Sequence, residues 1–201
     1  MRRRVRYGVK RVFDLLVCLM LMPFVLPVLL ITALAVRIDS PGPVLFVQQR
    51  TGRGGSRFPM LKFRTMVRNA EGLKASLAHL SIVPAPDFKV INDPRITRVG
   101  KMLRATSLDE LPQLLNVLVG HMSLVGPRPT SFSASSYSLW HTRRLEVRPG
   151  LTGLWQVRGR NETDFDERLR LDLSYIDRSS LVFDLWILLA TVAAVVRRRG
   201  A

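Results

Sequence analysis

The chain has 201 residues, 47% of them apolar, and carries 31 Lys/Arg against 15 Asp/Glu for a formal net charge of +16. That length suits one domain plus a short appendage, and the charge points to polyanionic partners: nucleic acid, an anionic membrane surface or phosphorylated small molecules. The single cysteine, Cys18, excludes an intrachain disulfide and fits a reducing compartment.

The first element is the uncharged run LLVCLMLMPFVLPVLLITALAV, residues 15–36. Its length suffices to cross a bilayer, which takes about 20 apolar residues. The basic stretch ahead of it (Arg2, Arg3, Arg4, Arg6, Lys10, Arg11) and Ala33-Leu34-Ala35 imitate a signal peptide with its cleavage site. Against that reading, the run exceeds the usual apolar core and Asp14 stands at its head. A straight span meets a different objection. Arg37, Arg50, Arg53, Arg57, Lys62, Arg64 and Arg68 follow the run, so both flanks carry the basic signature of the cytoplasmic side. Pro23 and Pro27 lie one turn apart, and proline lacks an N–H and clashes with the carbonyl four residues back. They mark a candidate membrane break, at which a helix–break–helix enters one leaflet and returns to the same face. The residues alone leave the kinked span and the re-entrant turn both open.

Turn signals at Ser40-Pro41-Gly42-Pro43 and at Gly52 to Gly55 bracket VLFVQQR, which with FPMLKFRTM predicts a β-hairpin. Residues 67–80 read as helix and 82–93 as a surface loop punctuated by Pro84, Pro86 and Pro94. Residues 103–119 are helix-rich, GPRP at 126–129 ends that region, 130–137 form a serine-rich loop, and 139–147 read as helix. A polar helix over 164–176 precedes an apolar one over 181–196, closed by Arg197, Arg198 and Arg199. The uninterrupted apolar part, 185–196, is too short to span. With its basic tail it suits an interfacial position, the alternative being a core helix with a solvated end. The class is α-rich α+β, without internal repeats.

The chemistry concentrates in LRATSLDELPQLLNVLVGHMSLVGPRP, residues 103–129. Asp109 and Glu110 stand just ahead of Pro112, a residue favoured in a first helical turn, which places both acids at a helix N-terminus. Ser107-x-x-Glu110 also matches a capping box with an earlier start; the later start avoids a proline beyond the first turn. An isolated acid pair would merely complement the helix dipole. Here Arg104, Arg128, Arg95, Arg98, Lys62 and Arg64 flank the neighbouring segments, and guanidinium forks suit phosphates. Aspartate is a nucleophile toward phosphoryl groups, and Mg²⁺ is commonly held by one or two carboxylates plus substrate phosphates. The pair therefore reads as a site of phosphoryl transfer. His79, His121 and His141 are scattered and suggest neither a metal cluster nor a base.

KRVFD, SPGPVLFVQQRTGRGG, KFRTM, DPRITRVGKMLRATSLDELPQLLNVL, MSLVGPRP and RPGLTGLWQVRGR occur in that order. Together, over residues 10–197, they closely resemble the bacterial sugar transferase family, the monotopic phosphoglycosyl transferases. The resemblance implies a re-entrant membrane helix within residues 1–40 and a catalytic domain over 41–201, held on the cytoplasmic face of a bacterial inner membrane. It implies transfer of a sugar phosphate from a nucleotide diphosphate sugar, a UDP-sugar by expectation, to polyprenol (undecaprenyl) phosphate, with release of UMP. Asp109 would attack the β-phosphate and carry a covalent phosphosugar, giving ping-pong kinetics, and Asp109 and Glu110 would hold Mg²⁺. Lys62, Arg64, Arg104, Arg128 and Arg148 take phosphate-binding roles, while Asp172 and Tyr175 match a late pattern of structural character. The family's Ser-Pro break falls on Leu26-Pro27, with leucine in place of serine and Pro23 as an additional proline. His121 stands where an aspartate is common. Expected partners are the two substrates, the inner leaflet of the membrane and a second copy of the chain. A non-catalytic membrane scaffold and a nucleic-acid-binding protein are the alternative functions. Nucleic acid is not an expected partner, because the basic residues are interleaved with acids and no recognition helix or stacking motif appears.

Overall fold

A computed structural model describes residues 2–81, 90–132, 139–158 and 165–196. The expectations for Pro84 and Pro86, for most of the serine-rich loop, for Asp164 and for Arg197, Arg198 and Arg199 lie outside the described residues. So do the side chains of Arg2, Arg3, Arg4 and Arg6.

The apolar run folds into one long helix, α1 (Arg2–Asp39), with Pro23 and Pro27 inside it. The expected helix–break–helix is corrected to this extent: the helical backbone continues through both prolines. A proline removes one hydrogen bond and bends a helix without having to end it. Asp14, Cys18, Met22, Val25, Leu29, Thr32 and Val36, spaced three or four apart, form the buried and half-buried stripe that faces the rest of the chain. Met20, Phe24, Ile31 and Ile38 are strongly exposed. Both prolines also lie on the exposed side, where the ring–carbonyl clash favours bending the helix toward the domain.

After α1, Arg64 clamps the turn, donating to the carbonyls of Pro41 (2.5 Å) and Ser40 (2.8 Å). Gly42 has φ +123°, and a Cβ there would sit 2.7 Å from an Arg64 nitrogen, so this turn requires glycine. The predicted hairpin forms: β1 (Leu45–Thr51) pairs antiparallel with β2 (Arg57–Phe63), from Leu45 opposite Phe63 to Thr51 opposite Arg57. On β2, Phe58 and Met60 point into the core and Lys62 follows on the same face. Residues 67–80, expected as helix, instead form successive turns ending in a 3₁₀ turn, Ala78–Leu80. The segment is almost wholly exposed, so no apolar face is buried to stabilise a helix.

Thr97 caps α2 (Arg98–Thr106), accepting from the Gly100 N–H at 3.0 Å. The helix stops at Ser107, whose φ of 57° turns the chain. A 3₁₀ turn, Leu108–Glu110, then leads through Pro112 into α3 (Gln113–Val119). The Ser107 side chain makes no cap hydrogen bond, so the later helix start holds and the capping box does not form. Two three-residue strands not anticipated from sequence, β3 (Ser123–Val125) and β4 (Gly150–Thr152), pair in parallel. Residues 139–146 are a 3₁₀ helix, followed after β4 by α4 (Leu154–Arg158), α5 (Phe165–Arg178) and α6 (Leu181–Val196).

Two apolar clusters hold these elements. The larger joins Cys18 of α1 to Phe58, Met60, Leu114, Val117, Met122, Leu154 and Ile187, and the smaller joins Val36 of α1 to Phe63 and Leu103. α1 thus contributes to both. A buried polar network ties its beginning to the helices that follow: Lys10 pairs with Asp184 at 2.6 Å, and the Tyr175 hydroxyl donates to Asp184 at 2.7 Å.

Candidate active site

Four elements converge on the acid pair. The 3₁₀ turn ahead of α3 presents Asp109 and Glu110, β2 supplies Lys62, α2 supplies Arg104, and the loop after β3 supplies Arg128. Lys62 Nζ lies 2.8 Å from Glu110 Oε1. The Arg128 guanidinium forks onto the same carboxylate, 2.5 Å from Oε1 and 3.3 Å from Oε2. Arg104 Nε donates to Thr65 Oγ1 at 2.9 Å, and its charge is felt by Asp109.

The two acids differ electrostatically. Burial would raise the Glu110 carboxyl, but Arg128 and then Lys62 outweigh it and hold the group well below the ordinary carboxylate range. Burial raises Asp109 above its ordinary value, with Lys62 opposing and Glu110 adding to the rise. The Asp109 carboxylate makes no hydrogen bond or ion pair among the described residues. One carboxylate is locked among cations, and its neighbour is left available beside them.

Residues remote in sequence position this cluster. Asn116, 3% exposed, completes the free edge of β2: its Oδ1 accepts from the Leu61 N–H (2.9 Å) and its Nδ2 donates to the Pro59 carbonyl (2.7 Å). That fixes α3, and the acids ahead of it, against the strand carrying Lys62. Arg144 donates both to the Arg128 carbonyl (2.8 Å) and to Asp172 (2.6 Å), so α5 holds the Arg128 backbone through Arg144. Gly126 and Gly150 cross so closely that a Cβ on either would collide with the other's backbone. Their N–H groups donate to Thr152 and Pro127 carbonyls, both at 2.9 Å. Asn116 and Arg144 were not singled out from sequence; an asparagine inside an apolar helical run was the available signal, since a buried amide needs partners.

Of the phosphate-binding candidates, the fold gathers Lys62, Arg104 and Arg128 around Asp109 and Glu110. Arg64 is directed to the turn after α1, where the charges of Arg37 and Asp39 act on it. Arg148 lies in a different cleft, beside Arg11 and Arg53. Asp172 and Tyr175 occupy the structural networks described above. His121 stacks obliquely on Phe58, 5.6 Å between ring centres.

For a metal, the cluster offers two adjacent carboxylates, and no grouping of three or more His, Cys, Asp or Glu occurs among the described residues. Such a donor set suits Mg²⁺ arriving with a diphosphate, whose oxygens complete the coordination.

The model of the family described as bacterial sugar transferase matches residues 5–198. Undecaprenyl-phosphate galactose phosphotransferase of Salmonella typhimurium is 47% identical over 197 residues, covering 96% of this chain and 41% of that protein. UDP-glucose:undecaprenyl-phosphate glucose-1-phosphate transferase of Caulobacter vibrioides is 44% identical over 201 residues, covering 96% and 71%. Exopolysaccharide production protein ExoY of Rhizobium meliloti is 38% identical over 197 residues, covering 96% and 87%. The chain therefore spans less than half of the Salmonella relative and most of the other two.

Proposed function

The chain belongs to the bacterial sugar transferase family, and on that premise we propose that it transfers a sugar phosphate from a UDP-sugar to polyprenol phosphate at a membrane surface. The observation that carries this reading is the asymmetry of the acid pair: Glu110 is fixed by Lys62 and Arg128, while Asp109 is unbonded beside the same cations.

Asp109 Oδ attacks the β-phosphorus of the donor, and the bond from that phosphorus to the bridging oxygen breaks. UMP leaves with the oxygen, and Asp109 carries the sugar phosphate as an acyl phosphate. An oxygen of polyprenol phosphate then attacks the same phosphorus, forming the lipid diphosphate sugar and freeing the carboxylate. Lys62, Arg104 and Arg128 supply fixed positive charge where negative charge develops on the transferring group. Asp109 and Glu110 would hold Mg²⁺, which when bound neutralises the diphosphate and the leaving UMP.

The shape of the molecule supports a membrane-side reading. α1 packs on the larger apolar cluster through Val17, Cys18 and Val25 and on the smaller one through Leu29, Ala33 and Val36. Contacts with the domain therefore recur along the ~28 Å that α1 rises from Val17 to Val36, close to the ~30 Å of a hydrocarbon core. A helix held along its length by one domain favours a position on a single face of the membrane over a crossing. Basic flanks on both sides favour the cytoplasmic face. α6 adds an outward apolar surface through Val182, Leu185, Leu189 and Val192. Its 16 residues are too few to span.

The test is UMP release over a panel of UDP-sugars, with undecaprenyl phosphate and Mg²⁺ in nanodiscs. Release with at least one donor, dependent on acceptor for turnover, is expected. No release from any nucleotide sugar would refute the reading.

A further inference from the structure

The transfer chemistry leaves Arg148 and the first turns of α1 unused. These turns, with Arg53 and Arg148, wall a cleft enclosing roughly 430 Å³, part of it open to solvent. Four cations line it, Lys10, Arg11, Arg53 and Arg148, against a single carboxylate, Asp14. That carboxylate is already engaged, accepting from Ser123 Oγ at 2.8 Å and from the Leu124 N–H at 3.3 Å. Lys10 is matched by Asp184. None of the three arginines forms an ion pair among the described residues, and among acids only the Asp14 charge acts on Arg148.

Arg11 donates to the carbonyls of Val117 and Leu118 at the C-terminus of α3, which satisfies its N–H groups and leaves its charge. Arg53 gives Nε to the Glu146 carbonyl at 3.1 Å and lies over the Tyr7 ring, 4.8 Å from its centre. Arg148 makes no hydrogen bond or ion pair among the described residues. Burial, followed by the charges of Arg11 and Arg53, pushes its guanidinium below the ordinary value. Gathering guanidinium groups without a counterion is unfavourable, and phosphate oxygens are the acceptors that fork geometry fits best.

The cleft is distinct from the acid pair. Arg11 meets the end of α3, whereas Asp109 and Glu110 precede its start, so the seven residues of that helix, about 10 Å, lie between them. Its position also indicates the source of the phosphate. Val9, Val12 and Leu16, on the same turns of α1, are each at least half exposed, and the uncharged run begins at Leu15. The cleft therefore lies where the apolar outer surface starts, with an aromatic ring, Tyr7, on its wall.

We propose that this cleft is a second phosphate-binding site, separate from the acid pair, and that it takes the phosphate of a lipid headgroup at the membrane surface. Binding, rather than turnover, tests it, so failure of the transfer reaction leaves the test intact. The whole chain in detergent is titrated by equilibrium dialysis with radiolabelled farnesyl phosphate, with phosphatidylglycerol in mixed micelles, and with inorganic phosphate, all without sugar nucleotide. At least one of the two lipids should saturate a site that persists in Asp109→Asn and weakens about 10-fold to 100-fold in Arg148→Gln. Arg53→Gln, at an exposed position, should weaken it too, and thermal melting checks that both variants fold. Which lipid binds separates a phosphate monoester from a phospholipid diester. Inorganic phosphate binding as tightly as either lipid would overturn the lipid assignment. Undiminished lipid binding in both folded arginine variants would overturn the site.

Discussion

Asp109 and Glu110 are adjacent in sequence yet placed in opposite circumstances. Glu110 anchors Lys62 and Arg128, which would otherwise face each other as like charges. Glu110→Gln removes that anchor, and we expect a loss of about 1–3 kcal/mol of stability, below the ~3–5 kcal/mol of broken fully buried pairs because all three groups keep some solvent contact. Denaturant titration in detergent measures it, and unchanged stability would contradict the anchoring role. The pH dependence follows from the same asymmetry. Burial raises Asp109 above 3.8 in the folded chain, so the folded state holds its proton to higher pH than the unfolded one, and the nucleophilic carboxylate forms at a higher pH than in an ordinary aspartate. Glu110 is depressed below 4.5, so its contribution to stability is present above 4.5 and is lost as pH falls below it. In the metal-free folded protein a carboxyl should therefore titrate with a midpoint above 3.8, followed by NMR of labelled aspartates and lost in Asp109→Asn. Lys62→Met should move that midpoint upward, since Lys62 is the strongest charge opposing the rise. A midpoint at or below 3.8 would argue against Asp109 as the titrating group.

At the scale of elements, the site depends on how α3 and the loop after β3 are fastened. Asn116→Ala would strand the Leu61 N–H and the Pro59 carbonyl in a buried position, at a cost of roughly 2–4 kcal/mol, and should lower activity by loosening Lys62 relative to Glu110. A variant of unchanged melting temperature would contradict the edge-completing role. This fastening was the least legible part of the sequence. The hairpin could be read because VLFVQQR and FPMLKFRTM are local β-rich runs around a glycine turn, and α6 because its apolar run is long. β3 and β4 could not, since each has three residues and its partner lies over 20 positions away. Residues 67–80 have helical composition but bury little, and tertiary context overruled propensity. The acid pair stood out through its motif, whereas Arg64, Arg128 and Arg148 look equivalent in sequence. Only the fold turns Arg64 to a loop, Arg128 to Glu110 and Arg148 to the cleft by α1.

For the whole molecule, α1 is both long and apolar enough to cross a membrane and a part of the core. In sequence its two prolines suggested a break; in the structure the helix continues and presents one stripe to the domain and an apolar face outward. If both ends rest on one side of the bilayer, single cysteines introduced by Arg6→Cys and Ser40→Cys, in a Cys18→Ser background, should react with an impermeant maleimide from the same side of sealed vesicles. Labelling from opposite sides would establish a crossing and require the domain contacts of α1 to rearrange. The covalent role of Asp109 is tested by intact-mass analysis. The protein is mixed with a donor UDP-sugar and Mg²⁺ without polyprenol phosphate, quenched within seconds and mapped by peptide. One sugar phosphate is expected on the peptide containing Asp109, matched by one equivalent of UMP and absent from Asp109→Asn. Full turnover on adding acceptor, with neither an adduct nor a UMP burst beforehand, would contradict it.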